Sequence, residues 1–314
     1  MTRRTFLASV SAASQAFSQA PSHSSFHGTF LQLQNDHLHW SKDQWLQLFQ
    51  YFRQLKLKRI ILQWTKNEEI SFIPLVPSFL KLAHDHRMQV HLGLLHRNQF
   101  WHVQEDGMEN FLSRLLEEQM PFIRELYSAT GKLGFAGWYI SQELDDERWS
   151  KPEMREIAKN YLHLLTRQLR QTSSGKMIAV SAFSNGKLSP EDYAEFSKDL
   201  LRSSGINEFL FQDGIGTRKL DLPQAREYLQ ALQNTLGKRL TPIIEIFEQT
   251  SDDPFTADPA SMERIIQQLD LFDSLKLKNP VAFSVPEYIT PSGGAKAAEL
   301  FQRFTQSALP APNI

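Results

Sequence analysis

The chain of 314 residues predicts an α/β fold, a (β/α)8 TIM barrel in a single domain. Three observations carry the prediction. From Gly28 onward, short apolar runs alternate without a break with longer segments of helical spacing. The runs number eight, enough to close a barrel. Each run is apolar nearly throughout, as a parallel strand covered on both faces must be.

The first run is Thr29 to Gln34, followed by a segment whose Trp45, Leu48, Phe49, Phe52 and Leu55 share one helical face. Arg59 to Trp64 predicts the second strand, and Val76-Pro77 leads into a helix through Phe79, Leu80 and Ala83. Gln89 to Leu95 predicts the third, with Phe111, Leu115, Phe122 and Leu126 on its helix. Phe135 to Ser141 predicts the fourth, with Met154, Ile157, Tyr161 and Leu164 behind it. Met177 to Phe183 is the fifth, and Ser189-Pro190 is a cap and first-turn signal for a helix over Tyr193 to Leu201. Glu208 to Asp213 is the sixth, backed by Tyr228, Leu229, Leu232 and Leu236. Pro242 to Phe247 is the seventh, backed by Met262, Ile265, Ile266 and Leu269. Val281 to Val285 is the eighth, and Ala295 to Phe304 is the last helix. A doubly wound open sheet is the competing architecture. Gln34-Asn35-Asp36 follows the first strand where a Gly-rich phosphate loop would stand, so neither that sheet nor a cofactor is expected.

Composition narrows the function classes. At 41% hydrophobic and 22% charged the chain is globular in type. The formal net charge is -1, from 34 basic and 35 acidic residues without clustered Lys or Arg, so no nucleic-acid partner is expected. There is no cysteine, which removes disulfides, thiolate nucleophiles and zinc-thiolate sites together.

The start, Thr2-Arg3-Arg4-Thr5-Phe6-Leu7, resembles a twin-arginine export signal: an arginine pair, then a modestly apolar run to Phe17, then Ser18-Gln19-Ala20 at a small-residue cut. The resemblance implies a leader over 1–20; a flexible lead-in over 21–27 then precedes the barrel, which the strand and helix pattern places over 28–308, with a short tail over 309–314. A periplasmic or secreted product follows. The apolar run of the leader is too short, and too rich in Ser and Gln, to span a bilayer, so no lasting membrane insertion is expected once it is removed.

In such barrels the chemistry lies at the C-terminal ends of the strands. Polar residues at those ends are Gln32, Gln34, Gln63, Glu143, Ser184, Asn185, Gln212, Asp213, Glu245, Glu248, Ser284 and Glu287. Alternation along the seventh strand sorts its two acids. Ile244 and Ile246 share the parity suited to lying under helices, so Glu245 shares the inward parity with Ile243 and Phe247. Facing Glu245 the other way would bury an unpaired charge at a cost of several kcal/mol. Glu143 and Glu245 would then face each other across the mouth. Two carboxylates in different environments are what glycoside cleavage requires, one protonated to serve the leaving oxygen and one ionised to attack or to activate water.

The ring of amides, Gln32, Gln63 and Gln212, suits a hydroxyl-rich ligand because each offers a donor and an acceptor. Trp64, Trp101, Trp149, Phe247 and Tyr288 fall at or beyond strand ends, where flat faces could grip sugar rings. Asp213, in Gln212-Asp213-Gly214-Ile215-Gly216, either binds a sugar hydroxyl or caps the turn. Asp145 to Glu147 read as a solvated acidic turn. His37-Leu38-His39 raises a metal-dependent hydrolase, but that mechanism also needs His at the ends of strands five and six and Asp at the eighth, where Ser184-Asn185, Gln212-Asp213 and Ser284 stand. His84, His86, His96 and His102 read as solvated, and no metal is expected.

An acid on strand four with a nucleophile on strand seven resembles the large clan of retaining barrel glycosidases. The acid of that clan usually follows Asn, and here Gln142 precedes Glu143. More specifically, the sequence resembles the bacterial family of domain of unknown function 4434, regarded as glycoside-hydrolase-like barrels. The matching pieces are Gly28-Thr29-Phe30-Leu31-Gln32, Ile61-Leu62-Gln63-Trp64, Leu92-Gly93-Leu94, Gly137-Trp138-Tyr139-Ile140-Ser141-Gln142-Glu143, Gln212-Asp213-Gly214-Ile215-Gly216 and Glu245-Ile246-Phe247-Glu248. The resemblance implies a carbohydrate ligand at these strand ends, Tyr139 included. The expectation is a glycosidase with Glu143 as acid/base and Glu245 as nucleophile, with Glu248 and Glu287 the alternatives for the second carboxylate. The competing expectation is a carbohydrate-binding barrel without turnover.

Overall fold

A computed structural model describes residues 25–307, with the side chains of Ser203 and Ser307 left aside. The expected export leader and the tail over 309–314 lie outside those residues. Eight parallel strands close into a barrel: β1 (Gly28–Leu31), β2 (Arg59–Leu62), β3 (Gln89–Gly93), β4 (Gly137–Asp145), β5 (Met177–Phe183), β6 (Glu208–Gln212), β7 (Leu240–Glu245) and β8 (Val281–Phe283). Neighbours in the ring follow the chain, and β1 pairs with β8, Gly28 opposite Val281. The intervening helices are α1 (Lys42–Gln54), α2 (Val76–Asp85), α3 (Glu105–Thr130), α4 (Pro152–Thr172), α5 (Pro190–Ser204), α6 (Leu222–Leu236) and α7 (Met262–Ser274), and α8 (Ala295–Ser307) closes the described chain. Among the described residues no helix is long and apolar enough to cross a membrane.

Local chemistry starts these helices where the chain turns back from the barrel. Ser41 accepts the Gln44 N–H while the Gln44 side chain returns to the Ser41 N–H, a reciprocal cap opening α1. Ser189 caps α5 with Pro190 in its first turn, Asp221 and Gln224 cap α6, and Ser261 caps α7.

Two apolar layers result. The helices pack on the outer faces of the strands, and a separate inner cluster of Phe30, Ile61, Tyr139, Ala179, Leu210, Ile243 and Val281 fills the barrel. The N-terminal end of the barrel is plugged by charge. The Arg59 guanidinium donates to both oxygens of Glu208 at 2.6 and 2.7 Å and to His91 Nδ1 at 3.2 Å, while Thr241 Oγ1 adds a bond to Glu208 at 2.6 Å. Burial pushes the Glu208 carboxyl up, but these donors more than reverse the effect and hold it below its ordinary value. His91 is driven down to about 3 by burial and by Arg59, so it stays neutral and can accept.

Several boundaries differ from the sequence reading. β4 runs on through Glu143 to Asp145, with its ladder to β5 irregular between Ile140 and Leu144. β7 stops at Glu245, and Phe247–Ser251 instead pairs with Thr256–Pro259 as an antiparallel hairpin standing on the barrel rim. Gln32 to Gln34 lie beyond β1, and Leu95–His96 joins a small rim sheet rather than β3. In α4 the buried stripe includes Met154, Ala158, Tyr161, Leu165 and Leu169, and Leu164 lies at its edge.

Candidate active site

Inward parity places Ser181 and Phe183 of β5, Gln212 of β6 and Glu245 of β7 at the C-terminal mouth, above the inner apolar cluster. Glu143, on the irregular stretch of β4, leans across its neighbours. Its Oε1 accepts from Ser181 Oγ and from Gln212 Nε2, both at 3.0 Å. Below it the Tyr139 hydroxyl and Ser181 Oγ share a bond of 2.6 Å. Burial raises the Glu143 carboxyl above the ordinary glutamate value, opposed by the two donors and by the charge of Lys219.

Glu245 comes from the adjacent side. Gln212 lies opposite Ile243 in the β6–β7 ladder, so Glu245 stands two residues further toward the mouth. It is 1% exposed. Its Oε2 accepts the Thr217 N–H at 2.8 Å and Thr217 Oγ1 at 3.2 Å, and the Gly216 N–H also donates to it. Burial raises this carboxyl too, with those donors and Lys219 pulling it back. Gly216 is required here because a Cβ would lie 2.8 Å from Glu245 Cβ and 2.6 Å from the Phe247 carbonyl oxygen.

Lys219 is a functional candidate that the sequence reading missed. It follows the Gly214-Ile215-Gly216 loop, and its ammonium sits 3.4 Å from the centroid of the Phe183 ring. Burial lowers its pKa, while the negative charges of Glu245, Glu143, Asp145 and Asp146 raise it. A cation therefore faces both acids. Its only sequence signal is position, one turn past the loop that leaves β6.

Several expectations need correction. Asp213 is wholly buried and turned to the protein itself: its Oδ1 accepts the N–H groups of Ile215 and Glu245 at 3.3 Å each, and its Oδ2 accepts Gln268 Nε2 at 2.6 Å. Burial and the charge of Glu245 push it up to about 8. Trp149 is 1% exposed and stacks on Phe100, 6.3 Å between centroids, so it is core and not a sugar platform. Tyr139 is buried under Glu143. Trp64 is buried, with His96 stacked on it at 5.3 Å and its Nε1 donating to the Leu33 carbonyl. Phe247 is buried under Phe255, Phe283 and Tyr288.

The acidic turn is not solvated as a whole. Asp145 and Asp146 are buried, and Asp146 accepts from Ser184 Oγ and from the N–H groups of Asn185, Lys187 and Leu188, clamping the β5 loop. Only Glu147 is exposed, paired with Lys187 at 3.3 Å. Gln142 points away from the mouth, its amide held by Leu95 O, Tyr161 and Gln119, so it does not take the place of the clan's asparagine beside the sugar. His37 accepts the Gln34 N–H on Nδ1 and packs against Trp40 and Trp45, and His96 is buried rather than solvated. Among the described residues no three His, Asp or Glu side chains converge as metal ligands would.

Of the remaining candidates, Gln32, Asn185, Gln212 and Tyr288 are half-buried around the mouth, and Trp101 is 37% exposed, packed on Phe183 at 6.3 Å. Gln63 is buried with its Oε1 lacking any partner. Glu287 lies beyond β8 and accepts from Ser284 Oγ.

The closed ring of eight parallel strands and the helices around it define a class, the (β/α)8 barrels. Within that class residues 26–294 match the family described as Domain of unknown function (DUF4434), and the chain belongs to this family. It is 28% identical over 279 residues to the uncharacterized protein YbcH of Escherichia coli K12, covering 83% of this chain and 93% of YbcH. A Bacteroides thetaiotaomicron structure, provisionally assigned as an alpha-L-fucosidase, superposes with a TM-score of 0.77 at 18% identity, over 96% of this chain and 99% of that one. The endo-1,4-beta-D-mannanase of Thermotoga petrophila superposes at 0.58 with 12% identity, over 90% and 99%. At such identities the likeness is one of fold.

Proposed function

We propose that this chain is a glycoside hydrolase that cleaves an oligo- or polysaccharide by a two-carboxylate mechanism with retention. Glu143 is the general acid and then base; Glu245 is the nucleophile. The observation that carries the reading is the pair itself: two carboxylates at the ends of β4 and β7, sharing one mouth and one cation, Lys219.

The environments suit separate roles. Glu143 is the more accessible, and its raised pKa keeps a proton available for the leaving oxygen. Glu245 is fixed by Thr217 and Gly216 through one oxygen, which leaves Oε1 as the attacking atom. Attack at the anomeric carbon with proton transfer from Glu143 releases the leaving alcohol. Water, deprotonated by Glu143, then displaces Glu245 from the glycosyl-enzyme. The buried, unpartnered Gln63 Oε1 is an acceptor that a sugar hydroxyl would satisfy. The names of the similar solved structures, an alpha-L-fucosidase and a mannanase, agree with a glycan substrate. Export through the twin-arginine-type signal belongs to the same proposal; intact-mass measurement of the secreted product should show a cut near Ala20, and a retained Met1 would contradict it.

A second reading, sugar binding without turnover, draws on the depth of Glu245, which is almost sealed from solvent. One screen separates the two. Wild type, Glu143→Gln and Glu245→Gln are tested for glycan hydrolysis and for binding. Cleavage by wild type that both variants lose supports catalysis; binding by all three with cleavage by none supports the binding module.

A further inference from the structure

Two runs of aromatic rings leave the mouth on opposite sides. On one, Phe183 at the end of β5 meets Trp101, 6.3 Å between centroids, on the short turn Asn98–Trp101 that follows β3. Trp101 is held in place from behind, because the Arg148 guanidinium donates to the carbonyls of Phe100 and Trp101 at 2.6 and 3.0 Å. On the other side, Phe283 of β8 meets Phe247 at 6.1 Å, and Phe247 meets Phe255 at 5.8 Å. Phe255 sits at the tip of the rim hairpin and is 52% exposed.

The hairpin is tied to the loop that holds Glu245. Arg218 donates to the Gln249 carbonyl at 2.7 Å, the Gln249 N–H donates to the Gly216 carbonyl at 2.9 Å, and Arg264 donates to the Phe247 carbonyl. β3 and β7 lie four strands apart in the closed ring of eight, so Trp101 and Phe255 flank the mouth from opposite edges. Glu143 leans toward the Phe183 side, and Glu245 stands on the Phe247 side. The flat face of an exposed aromatic ring is suited to the CH face of a pyranose ring. Here each edge of the mouth carries one.

The geometry points to an elongated cleft that takes a chain of sugars from Trp101 across the two acids to Phe255, so that the bond cut is internal to the chain. This rests on the glycosidase reading above. Hydrolysis there adds one water across the glycosidic bond, H to the leaving oxygen and OH to the anomeric carbon, and releases two oligosaccharides. Phe255 is thus a specificity-determining residue for chain length.

The test uses the full chain carrying Glu143→Gln, to read binding apart from cleavage. The probes are manno-, xylo- and cello-oligosaccharides from disaccharide to hexasaccharide. For at least one series affinity should rise with length, and Trp101→Ala and Phe255→Ala should each weaken the hexasaccharide about five- to tenfold while sparing the disaccharide. Phe255→Leu, which keeps apolar bulk without a flat ring, should lose most of the same affinity. Both sites are exposed enough that truncation leaves the fold intact, which thermal unfolding checks. Affinity independent of length, variants that bind the hexasaccharide as the parent does, or no binding to any series overturns the cleft. The two proposals can fail separately. Release of single terminal sugars by wild type, with Phe255→Ala silent, removes the cleft and keeps the glycosidase; length-dependent binding with no cleavage by wild type does the reverse.

Discussion

Asp213 Oδ1 accepts the backbone N–H of Glu245 at 3.3 Å, so a buried acid stands directly behind the proposed nucleophile. Two neighbouring carboxylates out of reach of water cannot both carry charge cheaply; burial raises both, and the charge of Glu245 adds to it at Asp213, which is pushed up to about 8. Its neutral form has a partner in waiting: Gln268 Oε1 is buried without a bond, and the amide turned over would accept the Asp213 proton.

The consequence for stability has a definite sign. A carboxyl whose folded pKa lies above its unfolded value makes the folded state bind more protons, so stability falls as pH rises. For Asp213 the window runs from its ordinary value near 4 to about 8. Chemical denaturation between pH 5 and 8 should show that decline in wild type and a flatter profile in Asp213→Asn, which keeps the acceptor for Glu245 N and can donate to Gln268. Equal slopes in the two proteins would refute the assignment.

Lys219 lowers the pKa of both Glu143 and Glu245. In Lys219→Met both should rise, moving the acid and the alkaline limb of the pH profile of kcat/KM to higher pH together. The profile on a cleaved glycan is the measurement; movement of one limb alone would mean that Lys219 faces only one acid.

Gly216→Ala forces a Cβ against Glu245 and against the Phe247 carbonyl. Displacement of a reacting group by about 1 Å costs on the order of a hundredfold in rate. We expect kcat to fall by that order with the secondary structure unchanged by circular dichroism. Near-wild-type turnover would show that Glu245 has no need of this loop.

The barrel was legible in the sequence because a parallel strand under helices leaves an apolar run that nothing else in the chain imitates. Glu245 was placed inward for the same reason: a charge in mid-run, flanked by Ile244 and Ile246, has one affordable side. Trp149 and the acidic turn were misread because β4 was ended at Ser141. In the fold the strand continues to Asp145, and the chain then folds back, carrying Trp149 onto Phe100 and Asp146 under the β5 loop. Lys219 was invisible because a Gly-rich loop sets no parity, and the direction of its side chain is decided by Phe183, which is remote in sequence.

The two tryptophans make that correction measurable. Trp149→Ala should cost about 3 to 5 kcal/mol, as for other buried large aromatics. Trp101→Ala should cost within about 0.5 kcal/mol, as for exposed positions. Urea denaturation of the pair checks it, and a small loss at Trp149 would return that ring to the surface.

Attack of Glu245 on the sugar can be read at a single residue. Wild type is incubated with 2-deoxy-2-fluoro glycosyl fluorides of the gluco, galacto, manno, xylo and fuco series, which form the glycosyl-enzyme and hydrolyse slowly, and its peptides are then examined by mass spectrometry. One adduct is expected, on Glu245, absent from Glu245→Gln. An adduct on any other side chain, or a glycan cleaved with inversion and no adduct at all, would contradict it.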